Sequence, residues 1–195
     1  MTGSQDKKKD IVLAAYRDKR TVFRLTDIAL LTGETSFDKL NKKMNYLVSA
    51  GKFQNPRKGI YAKEGFSKEE LACLLYTPSY ISLEYVLQKA GVIFQYDPAI
   101  TSVSYLSRST TIDGQMLVFR KVKTQILVNT SGIQRLDNQI NIASAERAFL
   151  DTLYLNTYYY FDNLSPLKID VIGELLPLYK SKALIARLKK TLPDA

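Results

Sequence analysis

Within residues 35–58 of this 195-residue chain, the side chains are spaced to do one kind of chemistry. Lys39, Lys42, Lys43 and Tyr46 fall at i, i+3, i+4 and i+7, so a helix here places them on one outer face, flanked by Asn41 and Asn45. Thr35 and Ser36 stand at the start of that stretch, and Arg57 and Lys58 follow it inside Asn55-Pro56-Arg57-Lys58-Gly59. Cationic heads neutralise phosphates and release counterions. Amide and hydroxyl groups hydrogen-bond base edges, and a helix N-terminus offers unpaired N–H groups to a phosphate. The expected chemistry is recognition of a nucleic acid. Lys42, Lys43, Arg57 and Lys58 are expected on phosphates, and Ser36, Lys39 and Asn41 on base edges, with Thr35 and Tyr46 on the same surface. A solvated amphipathic helix would present the same charged face.

The elements that must position these groups follow from periodicity. Residues 10–19 read as a helix with Ile11, Ala14 and Ala15 inward, and Thr21–Leu25 as a short strand. Thr26 is placed to cap a second helix that ends at Thr32-Gly33. Thr35 or Ser36 caps a third, running to about Ala50, with Phe37, Leu40, Met44, Leu47 and Val48 as its buried stripe. Lys52–Gln54 and Ile60–Ala62 then form a hairpin whose turn carries Arg57 and Lys58 at its tip. This order predicts a winged helix-turn-helix over residues 1–65, with the third helix in the major groove and the hairpin along the backbone. Winged helices also serve as protein-interaction modules, so a purely structural role stays open.

Charge follows the same division. Residues 1–65 hold 14 basic and 7 acidic side chains, a net of +7, whereas residues 66–195 hold 14 and 12, a net of +2. A basic module joined to a near-neutral one suggests polyanion binding attached to a second task. The chain has no histidine, which excludes Ser-His-Asp and Cys-His catalysis and His-ligated zinc. Its one cysteine, Cys73, lies in an apolar run and is expected to be an inert core thiol. The longest apolar runs, Ile11–Tyr16 and Leu71–Tyr76, are six residues, far below the ~20 that span a bilayer. With no leader-like start, a cytoplasmic location is expected.

Residues 66–195 read as a mixed α/β domain, so the expected class is α+β. Ser67-x-x-Glu70 is a capping box for a helix to about Tyr76, broken by Thr77-Pro78 and resumed over Ser79–Ala90. Residues 100–128 are β-like around an Asp113-Gly114 turn, and 143–155 are helical. Two more helices follow, parted near Pro177–Ser181. Arg120, Lys121 and Lys123 form a basic strand patch that could meet a partner, although a solvated strand face explains it as well. Glu146, Arg147 and Asp151 are expected to make a helix-surface or interdomain salt bridge rather than to do acid–base chemistry. Tyr154, Tyr158, Tyr159, Tyr160 and Phe161 are expected mainly to pack, with base stacking or partner binding as the other reading. A nuclease-like carboxylate-x-lysine element occurs only as Asp6-Lys7-Lys8, at an end expected to fray. Gly3-Ser4 lacks the paired acids a nucleotidyltransferase needs, and no phosphate-binding glycine loop is present. No enzyme activity, metal or cofactor is expected.

Behind the basic module run PSYISLEYVLQKAGVI, ITSVSYLSRSTT and AERAFLDTLYL. In this order the chain resembles the AbiEi-type antitoxins of abortive-infection toxin–antitoxin systems, over roughly residues 5–190. The most specific pieces, both helix-like by sequence, are Pro78–Glu84 and Ala145–Asp151. Where that family commonly has proline before the Glu-Arg-Ala element, this chain has Ala145, which also suits a helix start. The resemblance implies a winged helix that binds operator DNA upstream of its own operon and represses it. It also implies a C-terminal domain that counteracts a nucleotidyltransferase-like toxin in a type IV system, with no stable complex required and multimerisation on DNA left open. A ligand-sensing winged-helix transcription factor and a protein-binding module are the alternatives.

Overall fold

The computed structural model describes residues 10–192, so Gly3-Ser4 and Asp6-Lys7-Lys8 lie outside the described residues. The fold is mixed α+β, with two sheets among the described residues. The chain divides into two compact units at Leu71/Ala72, six residues beyond the expected boundary. Residues 66–71 join the first unit for a physical reason. The Glu70 carboxylate accepts from the Thr21 and Val22 N–H groups, and Ser67 N–H donates to Thr21 Oγ1. Ser67 Oγ accepts from Glu70 N–H at 3.2 Å as the expected N-cap. The helix it opens is α4, Lys68–Leu75, and three helices and three strands precede it.

In the N-terminal unit, α1 (Ile11–Arg17) is capped by Asp10, which accepts from Leu13 N–H at 2.9 Å. Strand β1 (Val22–Arg24) runs straight into α2 (Leu25–Thr32). No connecting residue remains, so Arg24 rather than Thr26 is the N-cap, and Asp27 accepts from Arg24 N–H at 2.7 Å. Gly33, at φ +72°, closes α2 as expected. Helix α3 is Phe37–Ser49, followed by β2 (Gln54–Arg57) and β3 (Ile60–Ala62). The three strands form an antiparallel sheet of order β1-β3-β2. Phe23 and Tyr61 are cross-strand neighbours and join Ala15, Ile28, Leu40, Met44 and Phe53 in one core. Phe37 departs from its expected burial: it is 49% exposed, on the first turn of α3 before the helix meets the core.

In the C-terminal unit a six-stranded sheet has the order β6-β7-β5-β4-β9-β8. The strands are β4 Ser79–Ile81, β5 Ile100–Ser104, β6 Arg108–Ile112, β7 Gln115–Lys121, β8 Ile133–Arg135 and β9 Asn141–Ala143. Two expectations fail. Ser79–Ile81 is a strand, paired antiparallel to β5 and parallel to β9, and only Glu84–Lys89 (α5) is helical. So Pro78–Leu83 is strand and turn, and of that piece only Glu84 is helical. Thr124–Leu127, expected to be β, is the short helix α6. Short apolar runs carry no decisive period, and sheet position settled both. Helix α7, Ala145–Leu155, packs against α5, α8 (Ile169–Leu175) and α9 (Lys182–Thr191), with a 3-10 turn at Leu176–Tyr179. Cys73 is buried, its thiol 3.6 Å from the Asn141 carbonyl. No helix of the described residues is long and apolar enough to cross a membrane.

Helix α7 is the centre of this unit, buried from Glu146 to Leu153. Arg147 and Asp151 are therefore fully buried rather than on a surface, with Arg147 Nε 3.5 Å from Asp151 Oδ1. Arg147 donates to Tyr80 Oη (2.9 Å) and to the Ile126 (2.8 Å) and Ser131 (3.0 Å) carbonyls. The Asp151 carboxylate accepts from Ser82 Oγ (2.8 Å), Tyr80 Oη (3.0 Å) and Tyr179 Oη (2.6 Å). The guanidinium lies 5.3 Å and 5.4 Å from the Tyr80 and Tyr179 ring centroids. Burial pushes the Asp151 carboxyl up, against the opposing pull of Arg147 and the three hydroxyls. Gly132, at φ +71°, is required beside this cluster, because a Cβ there would stand 3.0 Å from Arg147 Cβ.

Removing one member strands the other. Arg147→Met is expected to cost about 3–5 kcal/mol in urea unfolding. The Arg147→Met/Asp151→Leu double variant should lose less than the sum of its single variants. Additive losses would show that the two residues do not act as a pair.

Candidate nucleic-acid interface

Because Leu40 and Met44 point into the core, the opposite arc of α3 is centred on Lys42 and Tyr46. Lys39 and Lys43 lie to one side of that arc and Asn41 to the other. Thr35, Lys39, Asn41, Lys42, Lys43 and Tyr46 are all exposed, Tyr46 by 72%, and Ser36 is half-buried. Past the first-turn Asp38, α3 carries no acid. Ser36 is the N-cap, but its side chain makes no capping bond; its N–H donates to Glu34 Oε1 at 3.2 Å.

Two of these residues are already engaged. Asn41 Oδ1 accepts from Tyr61 Oη at 3.0 Å. That bond joins α3 to β3, so Asn41 helps to position the helix, with its amide N–H groups and one Oδ1 lone pair left for a ligand. Burial pushes the Tyr61 hydroxyl pKa up, which keeps it a donor. Lys43 Nζ lies 3.8 Å from Glu34 Oε2; the lysine is exposed and the glutamate is buried.

The hairpin is tighter than expected. Asn55, Pro56 and Arg57 belong to β2, and only Lys58-Gly59 turns the chain, with Gly59 at φ +79°. Asn55 Nδ2 donates to the Arg57 and Ile60 carbonyls at 3.0 and 2.7 Å, which pulls these residues into the ladder. Proline is accommodated because β2 is an edge strand. Arg57 is thus half-buried opposite Ile60 rather than at the tip, and Lys58 alone is the exposed cation of the turn. The turn is held to the start of α2 by Leu25 N–H donating to the Gly59 carbonyl at 3.3 Å.

Other basic groups of this unit serve the fold. Arg20 forks onto Asp18 at 3.1 and 2.8 Å and reaches Asp27 at 3.3 Å. Lys63 Nζ donates to the Asp18 carbonyl at 2.7 Å, and burial lowers its pKa. The +7 of residues 1–65 is therefore only partly available to a ligand.

In the C-terminal unit Arg120 and Lys121 alternate across β7 and do not form one face. Arg120 is half-buried and donates to Asn156 Oδ1 at 3.4 Å, whereas Lys121 and Lys123 are exposed. Among the described residues no cluster of His, Cys, Asp or Glu could hold a metal ion. Of the aromatic cluster, Phe161 is buried and Tyr154 and Tyr159 are half-buried, but Tyr158 and Tyr160 stand out in solvent. No protein family matches this chain, and no curated protein matches it.

Tyr61→Phe is expected to lower the stability of the full chain by about 1 kcal/mol through loss of the bond to Asn41. An unchanged urea midpoint would show that the bond contributes nothing. Hydrogen bonds from Arg20 hold the Asp18 carboxyl below its ordinary 3.8. The unfolded chain, with the higher pKa, binds the proton more tightly on acidification. Asp18's contribution is thus present above pH 3.8 and lost as pH falls through the depressed value. Asp18→Asn should flatten that acid-side loss in a pH series of unfolding curves.

Proposed function

We propose that the N-terminal unit is a winged helix-turn-helix that binds operator DNA, with α3 in the major groove and the Lys58 turn on the adjacent backbone. The observation that carries this reading is the outer arc of α3. Lys39, Lys42 and Tyr46 stand exposed with no acid beyond the first turn, on a helix bonded to the hairpin through Asn41 and Tyr61. The strand order β1-β3-β2 and the two-residue turn support it. Lys42 and Lys58 contact phosphates, and Lys39 and Ser36 lie nearest base edges. Lys43 and Arg57 play smaller parts, one facing Glu34 and the other half-buried in the ladder.

Taken with the resemblance of roughly residues 5–190 to AbiEi-type antitoxins, this reading makes the protein a cytoplasmic, non-enzymatic autorepressor and antitoxin of a type IV system. The C-terminal unit opposes a nucleotidyltransferase-like toxin. The resemblance supports this second activity and the buried α7 does not: Glu146, Arg147 and Asp151 are too enclosed to meet a partner.

Fluorescence anisotropy of the full chain on the duplex upstream of its gene, against a scrambled duplex at two salt concentrations, tests the DNA reading. Sequence-preferring binding that weakens steeply with salt is expected. Lys42→Ala should weaken binding to both duplexes and reduce the salt slope by about one. Equal, weak binding to both duplexes would make the unit a protein-binding module. Rescue of growth from a co-expressed toxin encoded beside the gene tests the antitoxin reading separately.

A further inference from the structure

The connection from α7 to α8, residues 156–168, is longer than most in compact domains. It is nevertheless pinned. Asp162 and Asn163 N–H groups donate to the Val92 carbonyl at 3.1 Å, and Phe94 N–H donates to Asp162 Oδ2 at 2.8 Å. Phe161 is buried against Phe149, ring centroids 4.8 Å apart, and Tyr159 lies 4.8 Å from it with the rings tilted by 44°. Beside these fixed points Tyr158 and Tyr160 are 84% and 81% exposed. Large rings held this far into water lose the burial that usually justifies them, which marks a contact surface.

The two rings border a cleft of about 790 Å³ whose other wall is α9. That helix carries Lys182, Arg187, Lys189 and Lys190 and no acid. Lys190 Nζ lies 5.7 Å from the Tyr158 ring centroid. Arg187 is anchored by Nη1 to the Leu153 and Tyr154 carbonyls at 2.7 and 3.0 Å, and its other nitrogens hold no hydrogen bond to a described residue. The far side is different. Burial, with Glu84, Asp162 and Asp97 nearby, pushes the Tyr159 hydroxyl up to about 12. An anion therefore belongs at the α9 wall and not beside Tyr159. The cleft size is that of a small-molecule site. Two exposed rings and two cations, Arg187 and Lys190, line it.

We propose that this cleft binds a nucleoside 5′-phosphate, its base stacked on Tyr158 and Tyr160 and its phosphates against Lys190 and Arg187. The proposal is independent of the DNA-binding reading of α3. Calorimetric titration of the full chain with ATP, adenosine and inorganic triphosphate tests it. ATP should bind, and adenosine and triphosphate should each bind at least about tenfold more weakly, since each keeps half of the contacts. Tyr158→Ala/Tyr160→Ala should weaken ATP binding about tenfold, an effect of the size expected for lost ring stacking. Lys190→Ala should weaken it about fivefold and flatten its salt dependence. These residues are exposed, so the variants should retain the wild-type unfolding curve. Lys42→Ala on α3 should leave ATP binding unchanged, and the cleft variants should leave binding of the upstream duplex unchanged. Triphosphate binding as tightly as ATP would overturn the proposal. So would cleft variants that bind ATP normally, loss of ATP binding in Lys42→Ala, or an oligo-dT strand that occupies the cleft more tightly than ATP.

Discussion

A buried guanidinium must be met on all sides, and much of the C-terminal unit is arranged to meet Arg147. Its own helix supplies Asp151, β4 supplies Tyr80, α6 and the residue chain beyond it supply two carbonyls, and the 3-10 turn supplies the Tyr179 ring. Each of those groups comes from a different part of the sequence. Displacing any one leaves a charge or a hydroxyl unpaired where water cannot reach, at a cost of several kcal/mol per ion. The cluster adds little net attraction, but it penalises every arrangement in which strand, helix and turn fail to converge. Arg147 Nε, 3.5 Å from Asp151 and without a hydrogen bond, is the one group the arrangement does not satisfy.

The N-terminal unit solves the opposite problem. Its core is apolar, and its charges must be sorted between fold and surface. Arg20 and Lys63 are drawn inward by Asp18, Asp27 and backbone carbonyls, and aromatic rings cover them: Arg20 lies 5.2 Å from the Phe23 centroid and Lys63 5.7 Å. The lysines of α3 and the turn lysine Lys58 remain in solvent. Net charge therefore overstates what this unit can offer a polyanion, and the helix face is a better guide than the sum.

Sequence alone made most of this unit legible because its signals are local. Gly33 after α2 and the Leu40/Met44 stripe of α3 act within a turn or two of the chain. What escaped was decided at a distance. Thr26 lost the cap to Arg24 because a strand abuts the helix, and Arg57 left the turn because Asn55 bonds across to Ile60. The Tyr61–Asn41 bond joins residues twenty apart, with no local signature. In the C-terminal unit the failures are larger for the same reason. Ser79–Ile81 reads as helix from its sequence, and its place between β5 and β9 makes it a strand. Arg147 and Asp151, at i and i+4, look like an exposed pair on any isolated helix. Only the sheet and three packed helices turn them inward.

The two candidate surfaces differ in a way that bears on what each can recognise. Duplex DNA presents phosphates and groove edges and hides its base faces in the stack. A helix that meets it needs cations and short polar groups, and α3 exposes lysines with one ring, Tyr46. The cleft beside α9 is built the other way, with two protruding rings and cations on one wall only. Rings gain little from a phosphate backbone but can cover the face of an unstacked base. The two proposed sites thus divide nucleotide chemistry between them: charge along a helix in the basic unit, and ring faces in the near-neutral one. The near-neutral balance of residues 66–195 is consistent with that division, because a site that grips a base face needs only enough charge to hold one phosphate group in place.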